Sequence, residues 1–256
     1  MIEEIKKEII RLEEQHDIKI LYAVESGSRA WGFASTDSDW DVRYFYIHRL
    51  DWYLKIDILK DSQEEILEND IDLSGWELKK ALKLFRKSNP PMLEWLDSPI
   101  IYSENYSTAT RLRKLKKEYF NPKSCMHHYF NMANNNFKHY LEKDMVRTKK
   151  YLYVLRPILA CEWIKNNETM APMEFDELVK TQVHDQQIKT EIELLLVRKK
   201  SGEELSEEPK NKLLHSYLEN KLQYFYDYLQ TMEKGLPPET ELLDKLFIET
   251  LEEAWK

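Results

Sequence analysis

The chain has 256 residues, 42% of them apolar and 33% charged, and a net charge of −8. That composition describes a folded globular protein, long enough for one large or two ordinary domains, and excludes a disordered chain. No run of 18 apolar residues is present to span a membrane, and two cysteines, Cys125 and Cys161, make no disulfide framework, so a reduced, cytoplasmic protein is expected.

Ile2, Ile5, Ile9 and Leu12 recur at helical spacing among charges that break any signal-peptide core, so residues 2–15 read as an amphipathic helix. Residues 18–24, "IKILYAV", read as a strand leading into a Gly27-Ser28 turn, and residues 41–47, "DVRYFYI", as a second strand. Residues 49–69 are charged and irregular, with a helix suited to 62–68, and "DIDL", 70–73, forms a short third strand. Ser74 and Glu77 have the spacing of a capping box. The helix that follows carries Leu78, Ala81, Leu82 and Phe85 on one face until Asn89-Pro90-Pro91 stops it.

Past Pro99 the pattern turns helical, over about 104–118, 123–142, 145–167, 173–182, 185–200, 208–234 and 239–255. The expected class is α+β: a small α/β domain with a short mixed sheet over residues 1–100, then a mostly helical domain over 101–256. Charge is uneven along it. Residues 111–156 hold twelve Lys/Arg and three Asp/Glu, a balance of +9, between flanks of −8 and −9. A basic segment in an acidic chain suggests one element that meets a polyanion, although a solvated helix face has the same composition.

The chemistry concentrates near the start. Only five glycines exist, and Gly27 and Gly32 sit five residues apart, with Asp39 and Asp41 following. A strand, a Gly-Ser turn and a short helix present backbone N–H groups and the Ser28 hydroxyl as a phosphate cradle. Asp39 and Asp41, two apart at a strand entry, share a face and repel each other unless a cation lies between them. Hard oxygen ligands of this kind suit Mg²⁺ or Mn²⁺. Asp72, between Ile71 and Leu73 on the next strand, supplies a third carboxylate and a candidate general base. Three carboxylates can hold two metal ions about 3.5–4 Å apart, the arrangement for attack of a hydroxyl on the α-phosphate of an NTP such as ATP.

The order Gly27-Ser28, Asp39-x-Asp41 and Asp72 resembles the DNA polymerase β-like nucleotidyltransferase superfamily. The stretches "GSRAWGFASTDSDWDVRYFYI", "DLSGWELKKALKLFRKSNPPMLEWLDSPIIY" and "KKYLYVLRPILACEWI", within residues 20–180, look like the RNA repair pathway DNA polymerase beta family. The resemblance implies a minimal nucleotidyltransferase fold, Mg²⁺-dependent NTP use, and Asp39, Asp41 and Asp72 as metal ligands, with Asp70 the alternative to Asp72. By analogy with such enzymes, Lys149 or Lys150 would meet the NTP phosphates and Tyr153 the base. Arg29 suits a phosphate or a structural carboxylate equally, and Arg43 a site carboxylate or a sheet edge. Transfer of NMP to an RNA end is the leading reading. Nucleotidylation of a protein or small hydroxyl compound, and a catalytically silent nucleotide-binding or antitoxin-like module, are the alternatives. Arg156, in the apolar stretch before Pro157, requires a partner; His127-His128 diverge too far on a helix to chelate one ion; Trp76, Trp95 and Trp163 read as core on helices.

Overall fold

A computed structural model describes residues 1–202, 207–233, 235 and 238–256, and among these no helix is long and apolar enough to cross a membrane. The chain is α+β and forms two compact units: Met1–Ala30, Asp39–Tyr119 and Pro237–Lys256 make the first, Trp31–Ser38 and Phe120–Leu236 the second.

The first unit begins with α1 (Ile2–His16), which buries Ile5, Ile9 and Leu12. Each such side chain removed from water stabilises the fold by about 1.5–3 kcal/mol. Then follow β1 (Ile18–Glu25), the single turn α2 (Gly27–Ala30), β2 (Trp40–His48), α3 (Leu50–Tyr53), β3 (Ser62–Ile66) and β4 (Ile71–Glu77). The helices α4 (Leu78–Arg86) and α5 (Pro90–Leu96), the short β5 (Ile101–Ser103) and α6 (Thr108–Tyr119) come next, and the late helix Glu241–Ala254 belongs to the same unit. The sheet order is β3-β4-β2-β1-β5, and all neighbours run antiparallel except β2 and β4. Parallel neighbours need a long connection, which residues 49–70 provide.

Alternation along β2 divides the sheet into two faces. Val42, Tyr44 and Tyr46 join Ile5, Ile9 and Leu12 of α1 in one core cluster. Phe45 faces the other way and stacks on Trp95 at 5.5 Å, and Trp95 in turn stacks on Trp76 at 3.9 Å. Gly75 is required on the first face, because a Cβ there would lie 2.1 Å from the Tyr44 ring.

Several elements differ from the sequence expectation. Residues 62–66 form the edge strand β3 rather than a helix, since antiparallel pairing with β4 overrides the local Glu-rich pattern. Ser74 is no cap: β4 continues to Glu77, which itself caps α4 by accepting the Lys79 N–H at 2.8 Å. Trp76 therefore sits on a strand and is half-buried, as is Trp163, whereas Trp95 is buried. Asn89-Pro90-Pro91 ends α4 as expected and also starts α5, with Asn89 accepting the Met92 N–H and Pro90 at a position where no N–H is needed.

His48 ends β2, its ring 4.1 Å from that of Trp52 and parallel to it. Burial, aided by the charge of Lys55, pushes its imidazole down to about 4 from the ordinary 6.5. The unfolded chain takes up a proton in that window and the folded one refuses it, so this stability is intact at neutral pH and lost as pH falls from 6.5 to 4. His48→Gln is expected to remove on the order of 1–3 kcal/mol of that pH dependence, read from urea midpoints between pH 4 and 7.

In the second unit, α7 (Pro122–Tyr140) is followed by β6 (Met145–Arg147), a 3-10 turn (Thr148–Tyr151) and α8 (Leu152–Asn167). The expected helix over 145–167 is thus shortened, because Met145–Arg147 pair with β7 (Glu207–Pro209). The helices α9 (Phe175–Gln182), α10 (Gln186–Ser201) and α11 (Lys212–Thr231) complete it. The expected helix over 208–234 starts only at Lys212, since β7 occupies Glu207–Pro209, and residue 234 lies outside the described residues. Cys125 and Cys161 are free and buried. In this unit the segment 31–38 is held by α9 and α10: the Phe175 N–H donates to the Trp31 carbonyl, and Lys199 Nζ donates to Ser35 Oγ at 3.0 Å.

Candidate active site

The parallel register of β2 and β4 sets Asp41 directly opposite Asp72, Arg43 opposite Ser74 and Phe45 opposite Trp76. Both carboxylates therefore share one face at the starts of their strands, with Asp39 two residues upstream, exposed, just before β2. Asp70 precedes β4 with φ +60° and uses its carbonyl to accept the Trp40 N–H at 2.8 Å. Of the two candidates for a third carboxylate, Asp72 is the one the sheet pairs with Asp41.

Arg43 lies between them. One guanidinium nitrogen donates to Asp41 Oδ1 at 2.9 Å and Asp72 Oδ2 at 2.8 Å, and the other to the carbonyls of Val42 and Asp72. Among the described residues no three His, Cys, Asp or Glu form a group that could hold an ion as arranged. Asp41 and Asp72 instead converge on one positively charged nitrogen. As a donor set, two carboxylates suit a hard divalent cation. Burial raises the Asp41 carboxyl above its usual range, Arg43 works against the rise, and the charges of Asp72 and Asp39 add to it. A cation relieves that strain on the ionised form.

Behind Asp41 stands Glu25, the last residue of β1 and fully buried. Its carboxylate accepts the Asp41 N–H at 2.9 Å and the Tyr102 hydroxyl, while its main chain is tied to Ser98 and Ile100. Burial pushes its carboxyl up to about 7, against the two hydrogen bonds. Sequence reasoning missed Glu25; the available signal was one acidic residue closing a strand that is apolar but for Lys19. The Ser26 N–H donates to the Asp41 carbonyl at 2.8 Å, and Gly27 turns at φ +60°. A Cβ on Gly27 would lie 2.0 Å from Asp41 Oδ2, so the turn and the carboxylate are in close contact. Ser28 is buried in α2. Arg29 donates to the Asp39 carbonyl at 3.2 Å, with its guanidinium 3.8 Å from the Trp40 ring centre.

Gly27, Ser28, Arg29, Asp39, Asp41 and Asp72 thus belong to the first unit, and Lys149, Lys150 and Tyr153 to the second. There Lys150 Nζ lies 3.9 Å from the Tyr140 ring centre and 5.3 Å from that of Tyr153. Tyr153 meets Trp31 edge-on, and the buried Arg156 lies over the same indole at 4.4 Å. His127 is exposed and His128 half-buried on α7.

The model of the RNA repair pathway DNA polymerase beta family matches residues 1–249. An uncharacterized protein of Bacillus subtilis (strain 168), YcgL, is 46% identical over 256 residues, covering 100% of this chain and 98% of the relative. A crystal structure of a nucleotidyltransferase-like protein from Exiguobacterium sibiricum 255-15 aligns with 98% of this chain and 81% of its own, at 13% identity and a TM-score of 0.35.

Proposed function

The chain belongs to the RNA repair pathway DNA polymerase beta family, and on that premise we propose that it is a metal-dependent nucleotidyltransferase that moves NMP from an NTP to the hydroxyl of an RNA end. The observation that carries the reading is the face-to-face pair Asp41 and Asp72 with Asp39 two residues ahead, beside the Gly27 turn. The basic segment 111–156 supports a polyanionic acceptor.

Asp39, Asp41 and Asp72 would hold the divalent cations, two in number on this reading, Mg²⁺ or Mn²⁺. When bound, these polarise the α-phosphate and lower the pKa of the acceptor hydroxyl. The protein's own part is positional and acid–base. Glu25 fixes the main chain of Asp41, and Gly27 leaves room for its carboxylate. Arg43 offsets one of the two negative charges of Asp41 and Asp72 before substrate arrives. Asp72 takes the proton of the acceptor hydroxyl as its oxygen bonds to the α-phosphorus and the bond to pyrophosphate breaks.

Incubation with each labelled NTP, Mg²⁺ and RNA, and separately with cell protein, tests the proposal. Label on RNA supports it. Label on protein supports the alternative that the net charge of −8 favours. No incorporation, with NTP still bound, overturns the enzymatic reading.

Arg43→Ala leaves two like charges opposed on neighbouring strands. It is expected to cost about 1–3 kcal/mol in cation-free buffer, less than a fully buried pair because both carboxylates are partly exposed. Mn²⁺ should then raise the Tm of the variant more than that of the wild type. Equal melting temperatures of the two proteins in chelator would contradict the role given to Arg43.

A further inference from the structure

A cleft lies on the opposite face of the sheet. About 490 Å³ in volume, it opens beside the C-terminal end of α1, over the later half of β2 and the edge strand β3. Tyr44, Tyr46, His48, Trp52 and Gln63 line it. Alternation along β2 turns these β2 side chains away from the face of Asp41 and Arg43, and His48 is about 23 Å of strand from Asp41.

Three features show a built surface. The Tyr44 ring, buried beneath the cleft, lies against Gly75, where any side chain would displace it. The Tyr44 hydroxyl donates to Gln63 Oε1 at 3.0 Å, which directs the amide's N–H₂ elsewhere as a donor. Tyr46 is fully buried, yet its hydroxyl has no hydrogen-bond partner among the described residues, a rare arrangement for a phenol. Beside them stands the parallel His48–Trp52 ring pair. The Tyr44 and Tyr46 rings are buried beneath the cleft, so its aromatic face is that of the half-buried His48–Trp52 pair, and this face with amide and hydroxyl groups beside it suits a flat heterocycle that carries hydrogen-bonding groups on its edge. The rim has Glu64 and Glu65 against Lys60, a poor setting for a triphosphate. We infer that this cleft binds a nucleobase, presented by a free nucleoside or by a strand of RNA, at a site separate from the carboxylates. The inference stands whether or not the transfer reading holds.

The test is calorimetric titration with the four ribonucleosides and with short oligoribonucleotides, without NTP or divalent metal. At least one base is expected to bind to the wild type and equally to Asp41→Asn. Trp52→Ala should weaken binding at least tenfold, and Tyr46→Phe, which keeps the volume of the ring, about fivefold. Equal affinity for nucleoside and oligonucleotide identifies the free nucleoside as the ligand, and an oligonucleotide at least tenfold tighter identifies RNA. No binding of either at millimolar concentration overturns the inference. So does binding that survives unchanged in both Trp52→Ala and Tyr46→Phe, or that disappears in Asp41→Asn.

Discussion

Asp41→Asn is expected to lower nucleotidyl transfer at least a thousandfold, about 4 kcal/mol of barrier, while the protein melts no lower than the wild type. The loss follows because the amide keeps the shape of the side chain but removes the charge that would hold a cation between β2 and β4. The stability follows from the local electrostatics. Burial raises the Asp41 carboxyl, and the neighbouring Asp72 and Asp39 push the same way, against Arg43. At neutral pH the ionised form is therefore held against its preference, and a neutral side chain removes that cost. Asp39→Asn should abolish transfer equally and leave Tm unchanged, since Asp39 is exposed. Transfer rates and thermal melts on the same preparations decide the matter. Retained transfer in both variants would show that these carboxylates do not do the chemistry, and a sharply lower Tm for Asp41→Asn would show that its role is structural.

Gly27→Ala is expected to remove most of the transfer activity, by about a hundredfold or more, for a reason of space. The residue turns at φ +60°, and its Cβ would sit 2.0 Å from Asp41 Oδ2 and 2.8 Å from Cγ. A flexible side chain would move aside, but Asp41 is held by Arg43, by Glu25 through its N–H and by Ser26 through its carbonyl. Either the carboxylate leaves Arg43 or the turn shifts, and both displace the donor set. The left-handed conformation itself costs about 1–2 kcal/mol for alanine. Gly32→Ala separates the two effects, because Gly32 has φ +85° and an added Cβ there would meet no atom of the described residues within 4 Å. It should lose stability by a similar amount and keep its transfer rate. Equal activity of Gly27→Ala and Gly32→Ala would refute the steric argument.

The features that sequence revealed are those set by alternation. Asp41 is followed by Val42, Tyr44 and Tyr46 on the apolar face, and Asp72 is flanked by the buried Ile71 and Leu73, so their strand faces could be read directly. The features it concealed depend on pairing between distant segments. The strand Ser62–Ile66 has no apolar alternation, because as an edge strand it leaves Ile66 and Glu64 exposed, and only its neighbour β4 makes it a strand. Ser74-x-x-Glu77 has the spacing of a cap, but the pairing of β4 with β2 as far as Glu77 moves the helix start three residues on. Arg43 could be placed on the face of Asp41 from spacing alone, while its grip on Asp72 required the register of two strands 29 residues apart. Glu25 was hidden for the same reason: its importance comes from Asp41 and Tyr102, 16 and 77 residues away.

The helix Glu241–Ala254 shares a unit with the first 119 residues, excepting 31–38. Within it Ser107 is tied to Glu253, Arg111 to Glu249 and the His48 carbonyl to Trp255 Nε1. A ribosome makes the two sides of these contacts far apart in time, because 138 to 207 residues separate the partners. The carboxylate-bearing sheet is synthesised early, but its closing helix emerges only after all of the second unit has been made. Translation must therefore pass residue 254 before the sheet unit reaches its final packing.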